Sequence, residues 1–442
     1  MGAEGATGRR QVVRLGLGAA AWLWARGASA ALSPLPVAAP GGPSDSVTLA
    51  GRFSDLKRRI VFEYYPWYAR SPVRHWEQWG RRPPLDLASH YVPLLGAYDS
   101  RDWRVIERHA RWIADSGVGS INLSWWGQGS FEDRLVPRVM DVMADHGIRV
   151  CFHLEPYHPR RAERLADDVR YLLVRYGARR HHDTLLLLPG QNGPAPVFKG
   201  FATIVPARET DCHGVTEAVE GYVPDDLWRR QIESVREEWR REFPGIIFLA
   251  DSIDVVRARS AGFDGLATYD NFIGPERYGE VARRASAHGL VYSGNVNAGF
   301  DGIVPRHLPP RACRRTVPFE PSANLDWSTE TGRERAVALS SARIRTSLAA
   351  TVAAQTDPSL LAARTGFFLI YVNSFNEWHE GTAFEPMCPA DALTPAQQAL
   401  GYHNPLRGDV RLAVLSEALR ALGARCGDGD TALGCPPVSA VP

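Results

Sequence analysis

The chain has 442 residues, 45% of them hydrophobic, 23% charged and 10% aromatic, which is globular usage and excludes disorder, collagen or a coiled coil as the main architecture. The 51 basic and 49 acidic residues nearly cancel, so nothing in the charge balance points to nucleic acid or to a charged tail. The length permits two or three average domains, or one large barrel with long loops.

Residues 1–30 read as an export signal: Arg9, Arg10 and Arg14 are followed by an apolar run over 15–25 and a small-residue cleavage site, Ala28-Ser29-Ala30. The run is well short of the roughly 20 residues that span a bilayer, and the Arg9-Arg10 pair also permits twin-arginine export. A secreted or periplasmic protein is expected, with a secretory-pathway or Golgi lumen as the alternative and no membrane span in the mature chain. Residues 31–50, rich in Pro, Ala, Gly and Ser, read as a linker, 51–425 as one folded domain and 426–442 as a C-terminal tail.

Within that domain, short apolar runs alternate with amphipathic stretches. Strands are predicted at 60–65, 118–124, 148–154, 196–205, 245–250, 262–269, 289–295 and 366–373. Each is mostly apolar, as strands buried on both faces of a parallel sheet are. Helical spacing of Trp103, Ile106, Ala110 and Ile113 predicts a helix that Asp99 or Ser100 can cap and Gly117 can end; 226–242 and 333–354 are similar. Eight strands with intervening helices give an α/β fold, a (β/α)8 TIM barrel with extended loops. At the fourth position the run 185–188 competes with 196–205. Segments 188–224 and 296–332 exceed plain connections and are expected to be functional loops.

Of the six cysteines, Cys151 lies in an apolar run and reads as a buried thiol, while Cys426 and Cys435 close a short loop and are the favoured bridge. No Cys/His cluster has zinc spacing, and neither metal nor organic cofactor is expected.

Parallel barrels carry their sites at the C-terminal ends of the strands. The first apolar run is followed by Tyr64-Tyr65-Pro66-Trp67-Tyr68 and then His75-Trp76. The second ends in Ser124-Trp125-Trp126, the third in His153-Leu154-Glu155-Pro156-Tyr157 and the sixth in Thr268-Tyr269-Asp270. The last runs into Asn373-Ser374-Phe375-Asn376-Glu377-Trp378-His379-Glu380. Aromatic faces with carboxylates and amides suit a sugar. Neighbouring aromatics on a strand face opposite ways, so one member of Tyr64-Tyr65 and of Trp125-Trp126 is as readily core as subsite. Glu155 ends an apolar strand and must be paired or functional. Glu63, inside the first strand, reads as a structural partner, and Glu385 is a further carboxylate of the last loop. Glycoside hydrolysis needs two carboxyl groups, and Glu377 and Glu380 meet if the loop turns tightly.

These strings together resemble the endo-α-1,2-mannosidase/endo-α-1,2-mannanase family, glycoside hydrolase family 99: YYPWY with HW downstream, LLGAYDSRDWRVIERHARWIADSGVGSINLSWWG, VCFHLEPY, AGFDGLATYD and VNSFNEWHEGTAFEP, in that order. The resemblance implies a barrel that cuts internal α-mannosidic linkages of an oligosaccharide or polysaccharide with retention, the substrate's own 2-hydroxyl acting as nucleophile to give a 1,2-anhydro sugar. It assigns Glu377 as the base for that hydroxyl and Glu380 as the acid and then the base for water. Glu155 would bind sugar hydroxyls, Tyr65, Tyr64, Trp126, Tyr157 and His75 would line subsites, and Tyr269 and Asn376 would make polar contacts. The chain departs from the family pattern at Phe198-Lys199-Gly200-Phe201-Ala202, at Asp270 and at Phe384, which leaves subsite preference open. A barrel glycosidase of another sugar or of inverting stereochemistry, and a non-catalytic carbohydrate-binding protein, are the alternatives.

Overall fold

The computed structural model describes residues 49–53, 55–157, 164–177, 182–190, 193–219, 221–269, 273–304 and 324–423. The expected export signal, nearly all of the linker, the tail with Cys426 and Cys435, and Asp270 lie outside them.

Parallel strands form the expected ring. They are β1 (Ile60–Tyr64), β2 (Ser120–Trp125), β3 (Arg149–Leu154), β4 (Gly193–Gly200), β5 (Ile247–Ala250), β6 (Gly265–Ala267), β7 and β8 (Ile370–Asn373). Consecutive strands pair in order, and β1 pairs with β8 through Ile60 opposite Ile370 and Phe62 opposite Val372. The seventh position is filled by two pieces, Val291–Ser293 on β6 and Asn295–Asn297 on β8, so the ring closes across Gly294. The Tyr278 ring lies against Gly294, where a Cβ would sit 2.5 Å from it, and the Tyr278 hydroxyl donates to the Asn295 carbonyl at 2.8 Å.

Helices follow each strand: α1 (Trp103–Ser116), α2 (Phe131–Asp145), α3 (Arg164–Leu172), α4 (Asp225–Trp239), α5 (Val255–Ser260), α6 (Tyr278–Ala287), α7 (Glu330–Thr356) and α8 (Val410–Gly423). The cap of α1 is Asp102, whose side chain accepts the Arg104 N–H at 3.0 Å. Asp99 instead receives the N–H groups of Arg70 and Arg101, which corrects the expected cap. Gly117 ends the helix at φ 90°, a left-handed value that glycine adopts without a Cβ clash. Among the described residues no helix is long and apolar enough to cross a membrane.

Both competing runs at the fourth position are extended. β4 takes the barrel place, with Phe198 between Phe152 of β3 and Phe248 of β5, and Leu187–Gly190 pairs with it antiparallel. The strand stops at Gly200, short of the expected 205, because the chain turns through Ala202 at φ +45° toward the Asp251 carboxylate. The long loop beyond carries a two-stranded ribbon, Arg208–Thr210 with Thr216–Ala218, and Cys212 between them is disulfide-bonded. Cys151 is a buried free thiol, as expected, and Cys388 is also free.

Alternation sorts the strand residues into two layers. Phe62, Ile121, Phe152, Phe198, Phe248 and Leu266 pack outward against the helices in the main core. Val61, Cys151, Val197, Leu249, Val291 and Tyr371 fill the lumen. Above that apolar plug the next inward positions are polar (Glu63, Asn122, His153 and Lys199, all buried). The plug excludes water from below, so these groups and the loops over them share one low-dielectric floor.

Candidate active site

The loop after β8 is built to present two carboxylates. The chain leaves the strand through a cis Asn373–Ser374 peptide bond. Ser374 Oγ accepts the Glu377 N–H at 2.7 Å, and the Phe375 N–H donates to the Glu63 carbonyl at 2.8 Å, tying the loop to β1. A turn closed by the Gly381 N–H on the Trp378 carbonyl at 3.2 Å then brings Glu380 back beside Glu377, as the i,i+3 reading requires. Glu377 is 4% exposed and its Oε1 accepts the His379 N–H at 2.9 Å. Glu380 is half-buried, and its Oε2 accepts the Tyr269 hydroxyl proton at 2.9 Å. Burial, and after it the Glu380 charge, push the Glu377 carboxyl well above the usual carboxylate range, with Glu155 adding to the push. Ionisation of either carboxyl therefore opposes ionisation of the other.

Glu155 stands at the end of β3, also buried, and Ser124 Oγ donates to its Oε1 at 2.7 Å while accepting the Trp126 Nε1–H at 3.1 Å. His153 Nδ1 lies 3.0 Å from Glu63 Oε2 and 3.9 Å from Glu155 Oε1. Below it, Glu63 receives Lys199 Nζ at 2.5 Å and Asn122 Nδ2 at 2.7 Å. Burial works to raise the Glu63 pKa, but the Lys199 and His153 charges overcome it and hold the group down to about 2. The His153 pKa rises although burial opposes it, because Glu63 and Glu155 both favour the imidazolium. The floor is thus a compensated charge lattice. The expectation that Glu63 is a structural partner fits this pairing.

Tyr65 sits where the carboxylates converge. Burial first, then the charges of Glu63, Glu155, Glu377 and Glu380, keep its phenol protonated far above neutral pH. Its ring lies 4.7 Å from that of Trp67, which stacks on His75 at 4.5 Å and faces Trp126 at 6.2 Å and His379 at 6.0 Å. Burial keeps both imidazoles neutral: the His75 pKa falls well below its ordinary value and that of His379 falls to about 4. The wall is therefore flat and uncharged, suited to the C–H faces of a sugar, and the carboxylates supply the hydroxyl partners.

Seven of the residues singled out from the sequence gather here: Glu377, Glu380, Glu155, Tyr65, Trp126, His75 and Tyr269. Three do not line the cleft in the expected way. Tyr64 points outward from β1 into the main core, with its hydroxyl 3.1 Å from His109 Nδ1. Asn376 is fully buried with its amide spent on Tyr65 and Tyr98, its Oδ1 accepting the Tyr65 N–H at 2.8 Å and its Nδ2 donating to the Tyr65 carbonyl at 3.0 Å and to the Tyr98 hydroxyl at 3.1 Å. It fixes the Tyr65 backbone and has no amide group turned to a subsite. Tyr157 packs over Gly127 and bonds Asp168, lining a side pocket with Glu155, Trp125 and Trp228. Glu385 is closed off beneath the loop, accepting from Tyr98 at 2.9 Å and Trp378 Nε1 at 3.1 Å. Trp67, His379 and Lys199 were not singled out as site residues, although Trp67 and His379 lie inside quoted motifs. Among the described residues one group could hold a metal, His90, Asp301 and His403, drawn from segments too distant in sequence to be read as a motif.

A (β/α)8 barrel whose mouth holds a coupled carboxylate pair under an aromatic wall defines a glycoside hydrolase. Residues 46–188 match the family described as glycosyl hydrolase family 99. The chain is 24% identical over 379 residues to a glycoprotein endo-alpha-1,2-mannosidase of Rattus norvegicus, covering 77% of this chain and 71% of that one. It is 26% identical over 378 residues to a glycoprotein endo-alpha-1,2-mannosidase-like protein of Homo sapiens, covering 77% and 71%. The solved family 99 endo-alpha-mannosidase of Bacteroides thetaiotaomicron superposes with a TM-score of 0.58 at 20% identity, covering 83% of this chain and 97% of that one. In its matched segment and in its fold the chain is similar to glycoside hydrolase family 99.

Proposed function

We propose that this glycoside hydrolase is an exported, retaining endo-α-mannosidase that cleaves internal α-1,2-mannosidic linkages of a glycan or mannan. The observation that carries the reading is the pairing of Glu377 and Glu380 on one turn at the barrel mouth, their charges coupled and Glu155 close by. The relatives' names supply the sugar and the linkage, and the disulfide at Cys212 fits an oxidising compartment.

In the proposed reaction Glu377 removes the proton of the 2-hydroxyl as that oxygen attacks the anomeric carbon. Glu380 protonates the departing oxygen and then draws the proton from the water that opens the 1,2-anhydro sugar at the anomeric carbon, while Glu377 returns its proton to the 2-oxygen. The axial 2-hydroxyl of an α-mannoside lies opposite the leaving group and is placed for attack; the equatorial one of an α-glucoside is not. A carboxylate buried as Glu377 is becomes a stronger base once ionised, which suits it to a hydroxyl. Neutral His75 and His379 leave the pair's proton with the carboxylates.

One observation favours exchanged roles. Burial and the Glu380 charge hold a proton on Glu377, and the Tyr269 hydroxyl favours ionised Glu380. Substrate binding must therefore move the proton for the first assignment to operate. Digestion of an α-1,3-substituted α-1,2-mannoside, with product sizing and NMR of the first-formed anomer, tests the reading. Release of a disaccharide in the α-configuration is expected. A β-anomer first, or exo-cleavage, overturns it, and full activity in Glu380→Gln removes Glu380 from its role.

A further inference from the structure

We propose that Asp301 is a positioning residue that holds the backbone under Glu380, and that His90 and His403 anchor it for that purpose. The proposal rests on the assignment of Glu380 to the reaction and adds what sets its place.

Glu380 is only half-buried, so packing around its own side chain leaves freedom that the backbone must remove. Two bonds from the loop after β7 do this: the Asp301 N–H donates to the Glu380 carbonyl at 2.9 Å and the Ile303 N–H to the His379 carbonyl at 2.8 Å. Gly381, at φ +64°, lies so close that a Cβ would come within 2.5 Å of the Asp301 carbonyl oxygen. From the other side Arg411 of α8 donates to the Gly381 and Ala383 carbonyls at 2.8 and 2.9 Å. The turn that carries Glu380 is clasped between Asp301 and Arg411.

The Asp301 side chain locks that clasp. It is 3% exposed, and its carboxylate lies between His90 Nδ1, 3.0 Å from Oδ1, and His403 Nδ1, 2.6 Å from Oδ2. His90 comes from the loop after β1 and also lies 3.2 Å from the Asp301 carbonyl. Beside His90, the Tyr91 hydroxyl receives Arg411 at 3.1 Å. Trp327 stacks on the His403 ring at 4.0 Å and 3° and fixes its direction. Burial would raise the Asp301 pKa, but the two imidazoles hold it far below the usual range, while burial lowers that of His403. The geometry describes an ionised carboxylate receiving one N–H from each ring. Contacts of 3.0 and 2.6 Å are direct hydrogen bonds that already satisfy the group, so no ion is needed to explain the cluster. Three segments of the chain meet at this carboxylate, and none of its partners belongs to the cleft.

The experiment compares kcat/KM of Asp301→Ala, Asp301→Asn, Glu380→Gln and Glu377→Gln on a natural glycan linkage and on the matching glycosyl fluoride. Fluoride departs with little help from a proton, so the ratio of the two substrates reports the acid. Displacing a catalytic group by about 1 Å costs on the order of 100-fold. Asp301→Ala is expected to lose about 10- to 100-fold on the glycan and to share the substrate ratio of Glu380→Gln, whichever role Glu380 has. Asp301→Asn, which keeps an acceptor, should lose less than about tenfold. His403→Ala, with the carboxylate retained, guards against misfolding of Asp301→Ala and should show the same ratio with a smaller loss. Wild-type activity in folded Asp301→Ala, or the ratio of Glu377→Gln, overturns the proposal. So does equal loss on both substrates where Glu380→Gln discriminates. Stoichiometric Zn²⁺ retained by the wild type and lost in His403→Ala would replace the clasp with a metal site. An active Glu380→Gln would sink the functional assignment itself, a result separate from any behaviour of Asp301.

Discussion

Glu63 and Glu377 are two buried carboxylates on adjacent strand ends of one barrel, and they behave oppositely. Glu63 has Lys199 at 2.5 Å, His153 at 3.0 Å and Asn122 at 2.7 Å, and is held ionised with a pKa of about 2. Glu377 has the His379 N–H at 2.9 Å and the Glu380 charge beside it, and its pKa is driven up. Burial is the same in kind; the sign of the nearest charge decides the outcome. The floor of the barrel uses burial to strengthen attraction. The mouth uses it to keep a proton on Glu377.

The largest effect expected from breaking this contrast is at the mouth. Glu380→Gln and Glu377→Gln should each lower kcat/KM by roughly 1,000-fold, within the range of lost acid-base catalysis, read by initial rates on an α-mannoside. Stability should move the other way for Glu377. A folded pKa raised above the usual 4.5 means the unfolded chain ionises first, so the wild type loses stability as pH rises above 4.5. Glu377→Gln should therefore melt above the wild type at pH 7, with the gap closing toward pH 4. A lower melting point at pH 7 would show that Glu377 is compensated after all.

At the floor the signs reverse. A Glu63 pKa lowered from 4.5 to about 2 contributes about 3 kcal/mol, fully present above pH 4.5 and lost as pH falls toward 2. Lys199→Met strands the carboxylate and should cost about 3–5 kcal/mol at pH 7. Urea melts from pH 2 to 7 check this, since the variant's acid-side slope should flatten. An unchanged profile would mean that His153 alone holds Glu63 down.

The sequence made the strand positions visible because each run is short, apolar and bounded. It could not choose the inward member of a pair. Tyr64 and Tyr65 differ by one residue, and β1 turns the first onto His109 and the second into the cleft. Trp125 is fully buried beside Asp133 while Trp126 reaches Ser124 at the mouth. Asn376 looked like a sugar ligand because polar groups in such loops often are; only its contacts with the Tyr65 backbone reveal a brace. The Lys199–Glu63 pair spans 136 residues and the His403–Asp301 pair 102, separations at which no local pattern survives. The split of β7 at Gly294 depends on the Tyr278 ring, again a distant partner.

A smaller effect is expected at Tyr269, whose hydroxyl donates to Glu380 at 2.9 Å. Removing one hydrogen bond to a charged group costs about 1.5–3 kcal/mol, so Tyr269→Phe should lower kcat/KM by roughly 10- to 100-fold. The bond favours ionised Glu380, so the pH at which Glu380 loses its proton should rise in the variant. A pH–rate profile unmoved in Tyr269→Phe would mean the bond is broken once substrate is bound.

The mildest change tests whether Glu155 belongs with the floor or with the mouth. It touches both, its Oε1 lying 3.9 Å from His153 and 2.7 Å from Ser124 Oγ, and its charge reaching Glu377. Ser124→Ala removes one donor from Glu155 and the acceptor of Trp126 Nε1, loosening both side chains without altering charge. If Glu155 holds a sugar hydroxyl, that freedom appears as weaker binding, with KM rising about three- to tenfold and kcat nearly constant. If Glu155 only completes the charge lattice around His153, KM stays put and the loss appears in the melting temperature. Measuring both on one preparation assigns the residue, because the alternatives move different quantities.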